Sequence, residues 1–116
     1  MPVDPSRFAE VWVQADDESA LCALINGDRG WLMYLREPGD AGFSSRNPEY
    51  GGPLETMMEF RLGNGQKDEY PIAWTLPIQE IQRALDYFKR TGKPPPFITW
   101  HNDSGDGTVI GGERCN

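Results

Sequence analysis

The segment "LPIQEIQRALDYFKRTG", residues 76–92, constrains the fold more than any other part of the chain. Pro77 suits the first position of a helix, and Gly92 suits the left-handed position that ends one. Apolar residues between them recur at the spacing that places them on one helix face: Ile78, Ile81, Ala84, Leu85 and Phe88. The pattern predicts one main helix, at about residues 77–91, with one apolar face in the core.

Other apolar segments show patterns that are typical of strands. "RFAEVWV", residues 7–13, has residues of similar character at a spacing of two and predicts a first strand. "ALCALINGDRGWLMYLR", residues 20–36, places two apolar runs around a Gly-rich turn and predicts a β-hairpin. A helix over residues 19–25 is the alternative, because Ala and Leu favour helices, but that run is short and ends at Asn26-Gly27.

A second hairpin and a last strand are predicted further along the chain. Its strands are Thr56–Leu62 and Glu69–Trp74, joined around Asn64-Gly65. "FITW", residues 97–100, predicts the last strand, and the three prolines before it form a stiff connector from the helix. Three prolines could instead bind a polyproline-recognition groove, as in an adaptor protein, but prolines just past a helix end are ordinary chain punctuation.

These elements predict an α+β fold in which a mainly antiparallel sheet of about five to six strands packs against one main helix. The 116 residues are expected to form a single domain, 1–116. Residues 37–52 are rich in Gly, Pro, Ser and Asn and predict a long loop, with at most a short extended piece around residues 43–45. The polar, glycine-rich residues 102–116 predict a loose tail, with a short apolar anchor at Val109-Ile110.

The charge of the chain bears on its partners. It has 11 basic and 18 acidic residues, a formal net charge of −7. This charge disfavours direct binding to nucleic acid or to anionic lipid, and it favours encounter with a basic protein. No apolar run reaches the ~18 residues of a membrane span, and the N-terminus lacks a signal-peptide pattern. We therefore expect a cytoplasmic protein.

Residues that could carry chemistry are few. His101 is the single histidine, and the alternative of a small-molecule enzyme would depend on His101 and nearby carboxylates. Cys22 lies in an apolar run and is expected to be a buried thiol, while a Cys22–Cys115 disulfide is the less favoured alternative. "DSGDG", residues 103–107, lacks the glutamate of a calcium loop, and no zinc spacing occurs. The sequence predicts no catalytic residue, metal or cofactor.

The order of several motifs carries a family resemblance. "GWLMYL", then "GFSSRNP", then "DEYPIAWTLPIQEIQRALDYFKRTGKPPPFITW" resemble immunity protein family one of bacterial polymorphic toxin systems. The resemblance covers about residues 21–100, and the segment after Trp100 departs from it. It implies an α+β fold and a non-enzymatic inhibitor of a cognate toxin, which in this family is often a nucleic-acid deaminase.

Such a toxin needs a basic groove for phosphates, and an acidic inhibitor could place carboxylates there. Phe43 or Tyr50, if exposed, would add an aromatic anchor, since binding hot spots are often aromatic. Candidate contacts lie in an acidic turn, in the long loop and in the second hairpin: Asp16, Asp17, Glu18, Phe43, Ser44, Ser45, Arg46, Tyr50, Asp68 and Glu69.

Overall fold

The structure is a computed structural model that describes residues 8–108 and residue 110. In chain order its strands and helix are β1 (Phe8–Gln14), β2 (Ala20–Asn26), β3 (Arg29–Leu35), β4 (Phe43–Arg46), β5 (Met57–Arg61), β6 (Lys67–Pro71), β7 (Leu76–Pro77), α1 (Ile78–Thr91) and β8 (Thr99–Asn102). A short 3₁₀ helix, Ile72–Trp74, lies between β6 and β7.

The strands form two antiparallel sheets. The main sheet has the order β1-β2-β3-β4-β8, and the two-residue β7 pairs with β3 as well. The β5–β6 hairpin forms the second sheet. With one helix packed on the main sheet, this arrangement confirms the predicted α+β fold and the predicted β2–β3 hairpin.

The helix α1 covers one face of the main sheet. Pro77 occupies the N-cap position, and Gly92 adopts φ 71° and donates its N–H to the Phe88 carbonyl oxygen. Both ends therefore lie within one residue of their predicted positions. The buried face of the helix and the strands beneath it share one apolar cluster that includes Leu21, Ala23, Leu32, Tyr34, Phe43, Ile81, Ala84 and Phe88.

The helix approaches the sheet most closely at Gly30. A Cβ atom at this position would lie 2.8 Å from Ile81 Cγ1 and 3.1 Å from the Leu24 carbonyl oxygen. Gly30 is buried in β3 and pairs with Leu76 of β7. The glycine is therefore needed here for close approach, because a side chain would occupy the volume that Ile81 fills.

The β5–β6 hairpin covers part of the opposite face. Phe60 packs with Cys22, Leu24 and Trp31 in a second apolar cluster, and the Tyr70 ring stacks on the Trp31 ring at 4.1 Å. Strands β2 and β3 are consequently buried on both faces. Their near-continuous apolar sequences follow from this two-sided burial, since a strand with one wet face would alternate.

The predicted strand Glu69–Trp74 was wrong in its bounds. The observed strand β6 ends at Pro71, and Ile72–Trp74 turn as a 3₁₀ helix in which the Thr75 N–H donates to the Ile72 carbonyl oxygen at 3.0 Å. Pro71 lies at a non-hydrogen-bonded position of the ladder, where its missing N–H costs nothing, and the Ile72 N–H makes the last bond of the hairpin, to the Thr56 carbonyl oxygen at 2.9 Å.

The short extended piece expected around residues 43–45, within the predicted loop of residues 37–52, is confirmed as a strand of the main sheet. Residues 43–46 form β4, which lies between β3 and β8 in the main sheet. The Ser45 hydroxyl accepts a hydrogen bond from the Leu32 N–H at 3.0 Å and donates to the Trp74 carbonyl oxygen at 2.9 Å. Serines fit a buried strand here because each hydroxyl has partners.

The three prolines form a packed joint. Pro95 is fully buried, and its carbonyl oxygen accepts from Trp100 Nε1 at 3.0 Å. The last strand begins at Thr99, two residues later than predicted. Ile98 and Trp100 nevertheless pack against the main core, as their spacing indicated. The buried Pro95 is not presented as a free polyproline ligand.

The segment predicted as a loose tail begins with an ordered loop. Arg36 Nη1 lies 2.7 Å from Asp106 Oδ2, and Asn102 Nδ2 donates to Asp106 Oδ1 at 2.8 Å. Ile110 packs on the main core, whereas Val109 and residues 111–116 lie outside the described residues.

Gly30→Ala is expected to lower the free energy of unfolding by about 1–3 kcal/mol, because the new methyl group must displace Ile81. Gly51→Ala is the matched control, since a Cβ atom at Gly51 would meet nothing within 4 Å. Urea unfolding followed by tryptophan fluorescence measures both variants. Equal midpoints for the two variants would contradict the close helix–sheet approach.

Candidate partner-binding surface

The acidic turn, Asp16, Asp17 and Glu18, joins β1 to β2 at one end of the main sheet. All three residues are exposed. The turn is closed by the Ala15 N–H, which donates to the Ser19 carbonyl oxygen at 2.8 Å, and by the Glu18 N–H, which donates to the Ala15 carbonyl oxygen at 3.2 Å. Glu18 adopts φ 74°, a left-handed conformation that the tight turn requires.

Asp17 fixes the shape of the acidic turn. Its Oδ1 accepts hydrogen bonds from the Ser19 hydroxyl at 2.6 Å and from the Ser19 N–H at 3.0 Å. These bonds lower the pKa of Asp17, since both stabilise the carboxylate. Among the described residues, Asp16 and Glu18 have no hydrogen-bond or ion-pair partner for their side chains. The turn therefore presents two free carboxylates on a fixed backbone.

A groove of about 570 Å³ separates the acidic turn from the C-terminal end of α1. Asp16 and Asp17 line one side, and Lys89, Arg90 and Lys93 line the other. The surface is therefore charged with both signs across a short distance. A partner that covers the groove would need basic groups opposite the turn and acidic or polar groups opposite the helix end.

Three predicted contacts in β4 are buried, which corrects the expectation that they lie on an exposed loop. Phe43 is 1% exposed, and Ser44 and Ser45 are equally covered. Phe43 belongs to the main core, so the prediction that it could be an exposed aromatic anchor was wrong. A Gly- and Ser-rich stretch resembles a loop in sequence, but here small residues permit close packing of β4 between two strands.

Arg46 is occupied by neighbours within the chain. Its Nη1 donates to the Ser44 hydroxyl and to the Ser45 carbonyl oxygen, both at 2.8 Å, and its guanidinium lies 3.8 Å from the centre of the Trp74 ring. Burial lowers the pKa of Arg46. These contacts explain the position of Arg46 without any partner.

Tyr50 is half-buried in the loop that follows β4. Its hydroxyl donates to the Pro53 carbonyl oxygen at 2.9 Å. A Cβ atom at Gly52 would lie 2.5 Å from that hydroxyl, so the ring lies directly over the loop backbone. Tyr50 retains one accessible side and stays a predicted contact.

Asp68 and Glu69 do not form one acidic patch, because neighbouring residues of β6 point to opposite faces. Asp68 is half-buried and accepts hydrogen bonds from Gln66 Nε2 at 3.0 Å and from the Tyr70 hydroxyl at 3.3 Å. Glu69 is exposed and lies directly opposite Glu59, which pairs with Arg61 at 2.7 Å. Of the predicted pair, Glu69 alone is fully accessible.

His101, Asp103 and Ser44 lie together where β8 meets β4. His101 Nε2 lies 3.5 Å from Asp103 Oδ1 on the surface, and the Ser44 hydroxyl donates to Asp103 Oδ2 at 2.7 Å. Ser44 lies directly opposite His101 in the β4–β8 pairing, but its hydroxyl donates to the Asp103 carboxylate, and among the described residues no hydrogen bond joins that hydroxyl to the imidazole. A serine nucleophile requires the imidazole as its base, so this cluster reads as a strand-to-strand link.

Cys22 is buried between the main sheet and the second hairpin. Burial raises the pKa of the Cys22 thiol to about 12, so the reactive thiolate is scarce at neutral pH. Cys115 lies outside the described residues, and within them Cys22 is a free thiol. Residues 8–108 and 110 contain no group of three or more His, Cys, Asp or Glu residues that could hold a metal ion.

Sequence reasoning missed the exposure of Trp12. Its side chain is 50% exposed on β1, and its Nε1 donates to Glu10 Oε2 at 2.8 Å. Val11 and Val13 on either side pack against the main core. The alternation along β1 could have placed Trp12 on the outer face, but both faces of this strand look apolar in sequence.

Comparison with known proteins gives no match to this chain, either among protein-family models or among curated proteins. Within the part of the chain that the structure describes, no helix is long and apolar enough to cross a membrane. The family resemblance therefore depends on the motifs quoted above.

Native Cys22 is expected to react with iodoacetamide at pH 8 more than about tenfold more slowly than the same thiol in urea, because it is buried and its pKa is raised. A Cys115→Ser chain isolates the signal, which mass spectrometry measures. Equal rates in the native and unfolded protein would show that Cys22 is accessible.

Proposed function

We propose that this protein is an immunity protein that binds a cognate bacterial toxin in the cytoplasm and blocks its substrate groove. The observation that carries the proposal is the acidic turn, an exposed and hydrogen-bonded element on a chain of net charge −7. The motif resemblance supplies the toxin class, a deaminase that acts on nucleic acid.

The proposed mechanism is charge mimicry combined with steric blockage. A groove that holds a nucleic-acid backbone carries Lys and Arg residues spaced to meet phosphates. Asp16 and Glu18 would occupy those positions as carboxylates, while the hydrogen bonds of Asp17 keep the turn in shape. Because little conformational entropy remains to be lost in such a turn, binding costs less than it would for a flexible acidic segment.

The cationic end of α1 would give selectivity. Lys89, Arg90 and Lys93 lie across the groove from the acidic turn, so a uniformly basic surface would meet repulsion there. The fitting partner has a basic patch bordered by acidic or polar groups. Such a pattern would discriminate one toxin from other basic proteins of the cell.

The proposal is tested by mixing the protein with the product of the adjacent toxin gene. At equimolar amounts the two are expected to co-elute in size-exclusion chromatography, and the deaminase activity is expected to be lost. Heat-denatured protein at the same concentration controls for non-specific effects. Full activity at equimolar inhibitor, with no co-elution, would contradict the proposal.

The double variant Asp16→Lys with Glu18→Lys is expected to slow association with the toxin by about tenfold at low salt and to weaken the salt dependence of the rate. Glu37→Lys with Glu55→Lys is the control, because it makes the same charge change at other exposed positions. Stopped-flow fluorescence measures the rates. Equal slowing by both variants would show that only net charge matters, and no slowing would remove the acidic turn from the interface.

A further inference from the structure

The strand β1 is an edge of the main sheet, and the β5–β6 hairpin contacts its N-terminal half, where the Arg61 guanidinium lies 5.3 Å from the centre of the Phe8 ring. Strand order places β1 at one edge and β8 at the other. Its seven residues, FAEVWVQ, include no lysine and no proline, and its single charged side chain, Glu10, is bonded to neighbours. Natural proteins usually protect exposed edges with lysine or proline, with bulges or with a covering element, because an open edge can pair with another chain.

The register shows which backbone groups of β1 are open. Asn26 and Arg29 pair across a two-residue turn and therefore exchange backbone hydrogen bonds. Because bonding direction alternates along an antiparallel strand, the even-numbered residues of β2 bond to β3 and the odd-numbered residues bond to β1. Their partners are the odd-numbered residues of β1, and the bond from the Ala15 N–H to Ser19 continues the same alternation. The even-numbered residues therefore direct their N–H and C=O groups away from the sheet: Phe8, Glu10, Trp12 and Gln14.

These outward groups lack backbone partners in the part of the chain that the structure describes. Trp12 belongs to the same set, and its half-exposed ring is held over the strand by the bond to Glu10. Glu10 is in turn fixed by the Gly63 N–H, which donates to its Oε1 at 2.7 Å. The edge thus combines open backbone groups, which an added strand could pair with, and a fixed aromatic side chain of the kind that binding hot spots often contain.

The other edge is less available. Strand β8 has four residues, and it lies between the proline joint and the hydrogen-bonded loop around Asp106. By the same alternation, the backbone N–H and C=O of Trp100 point away from the sheet. Its side chain, however, donates a hydrogen bond to the Pro95 carbonyl oxygen and packs on the core. A strand from another protein would find a longer and freer template on β1.

Charge selects the kind of strand that fits. The acidic turn follows the C-terminal end of β1, and a further carboxylate, Glu10, lies within the strand itself. A second copy of this chain would bring another net charge of −7 and a second acidic turn to the same edge, so the copies would repel. A basic strand would instead be attracted to it.

We propose that β1 binds the toxin by strand addition, in which a basic extended segment of the toxin pairs with the outward backbone groups of β1 and covers Trp12. This inference depends on the proposed function, and it names the surface that the toxin uses. The acidic turn lies at the end of the added strand and would meet its flanking basic residues.

Residue-resolved amide hydrogen exchange of the full chain, free and with one equivalent of the toxin-gene product, tests the inference. The outward amides of Phe8, Glu10, Trp12 and Gln14 are expected to exchange fast in the free protein and about 100-fold more slowly in the complex. The amides of Ala9, Val11 and Val13 are expected to be protected in both states, because they bond to β2. The alternation is the signature of strand addition.

Trp12→Ala provides a second readout and is expected to raise the Kd of the toxin about thirtyfold. Leu54→Ala is the control, because Leu54 is also an exposed large apolar side chain, at 72%, and lies in a loop away from β1. Thermal unfolding of both variants checks that the fold is retained. Equal affinity for wild type and Trp12→Ala would contradict the inference.

The outcomes separate this inference from the proposed function. If the toxin is inhibited while the outward amides stay unprotected, strand addition is wrong and the immunity function stands. If the toxin neither binds nor is inhibited, both fail. If the outward amides become protected in the protein alone, and sedimentation shows a dimer, the edge binds a second copy and the basic partner is wrong.

Discussion

Burial of the β2–β3 hairpin on both faces is the constraint on which the rest of the structure depends. One face requires the helix, and the contact is so close that Gly30 must lack a side chain. The other face requires the second hairpin, whose Tyr70 stacks on Trp31. Hydrophobic burial is the main stabilising term in a small domain. Because the hairpin has two apolar faces that must leave water, both the helix and the second hairpin are needed to cover it.

This arrangement leaves the ends and edges of the sheet for other purposes. The helix and the second hairpin contact β1, β2 and β3, whereas the three residues of the charged turn between β1 and β2 are exposed. Its shape is set locally, by the bonds of Asp17 to Ser19. The edge strand β1 packs Val11 and Val13 inward and keeps Trp12 outside. The scaffold and the proposed interface are thus built from different residues, which would allow contacts to change while the core is retained.

The sequence predicted the fold better than the site, and the reason is physical. The helix and the β2–β3 hairpin were predictable because their ends have local causes, such as the left-handed Gly92 and the two-residue turn. The serines of β4 were read as loop residues because their buried state depends on distant partners, Leu32 and Trp74. Asp68 and Glu69 were both predicted as contacts, although the strand pleat directs them to opposite faces. Which side of β1 is open depends on strand order, and local sequence does not carry that information.

The most direct measurement of the central claim is survival of cells that express the product of the adjacent toxin gene. The account predicts that co-expression of this protein restores growth, and that the double variant of Asp16 and Glu18 or the Trp12→Ala variant restores less. Cells that die equally with and without the protein, at matched and verified expression of both chains, would contradict the account.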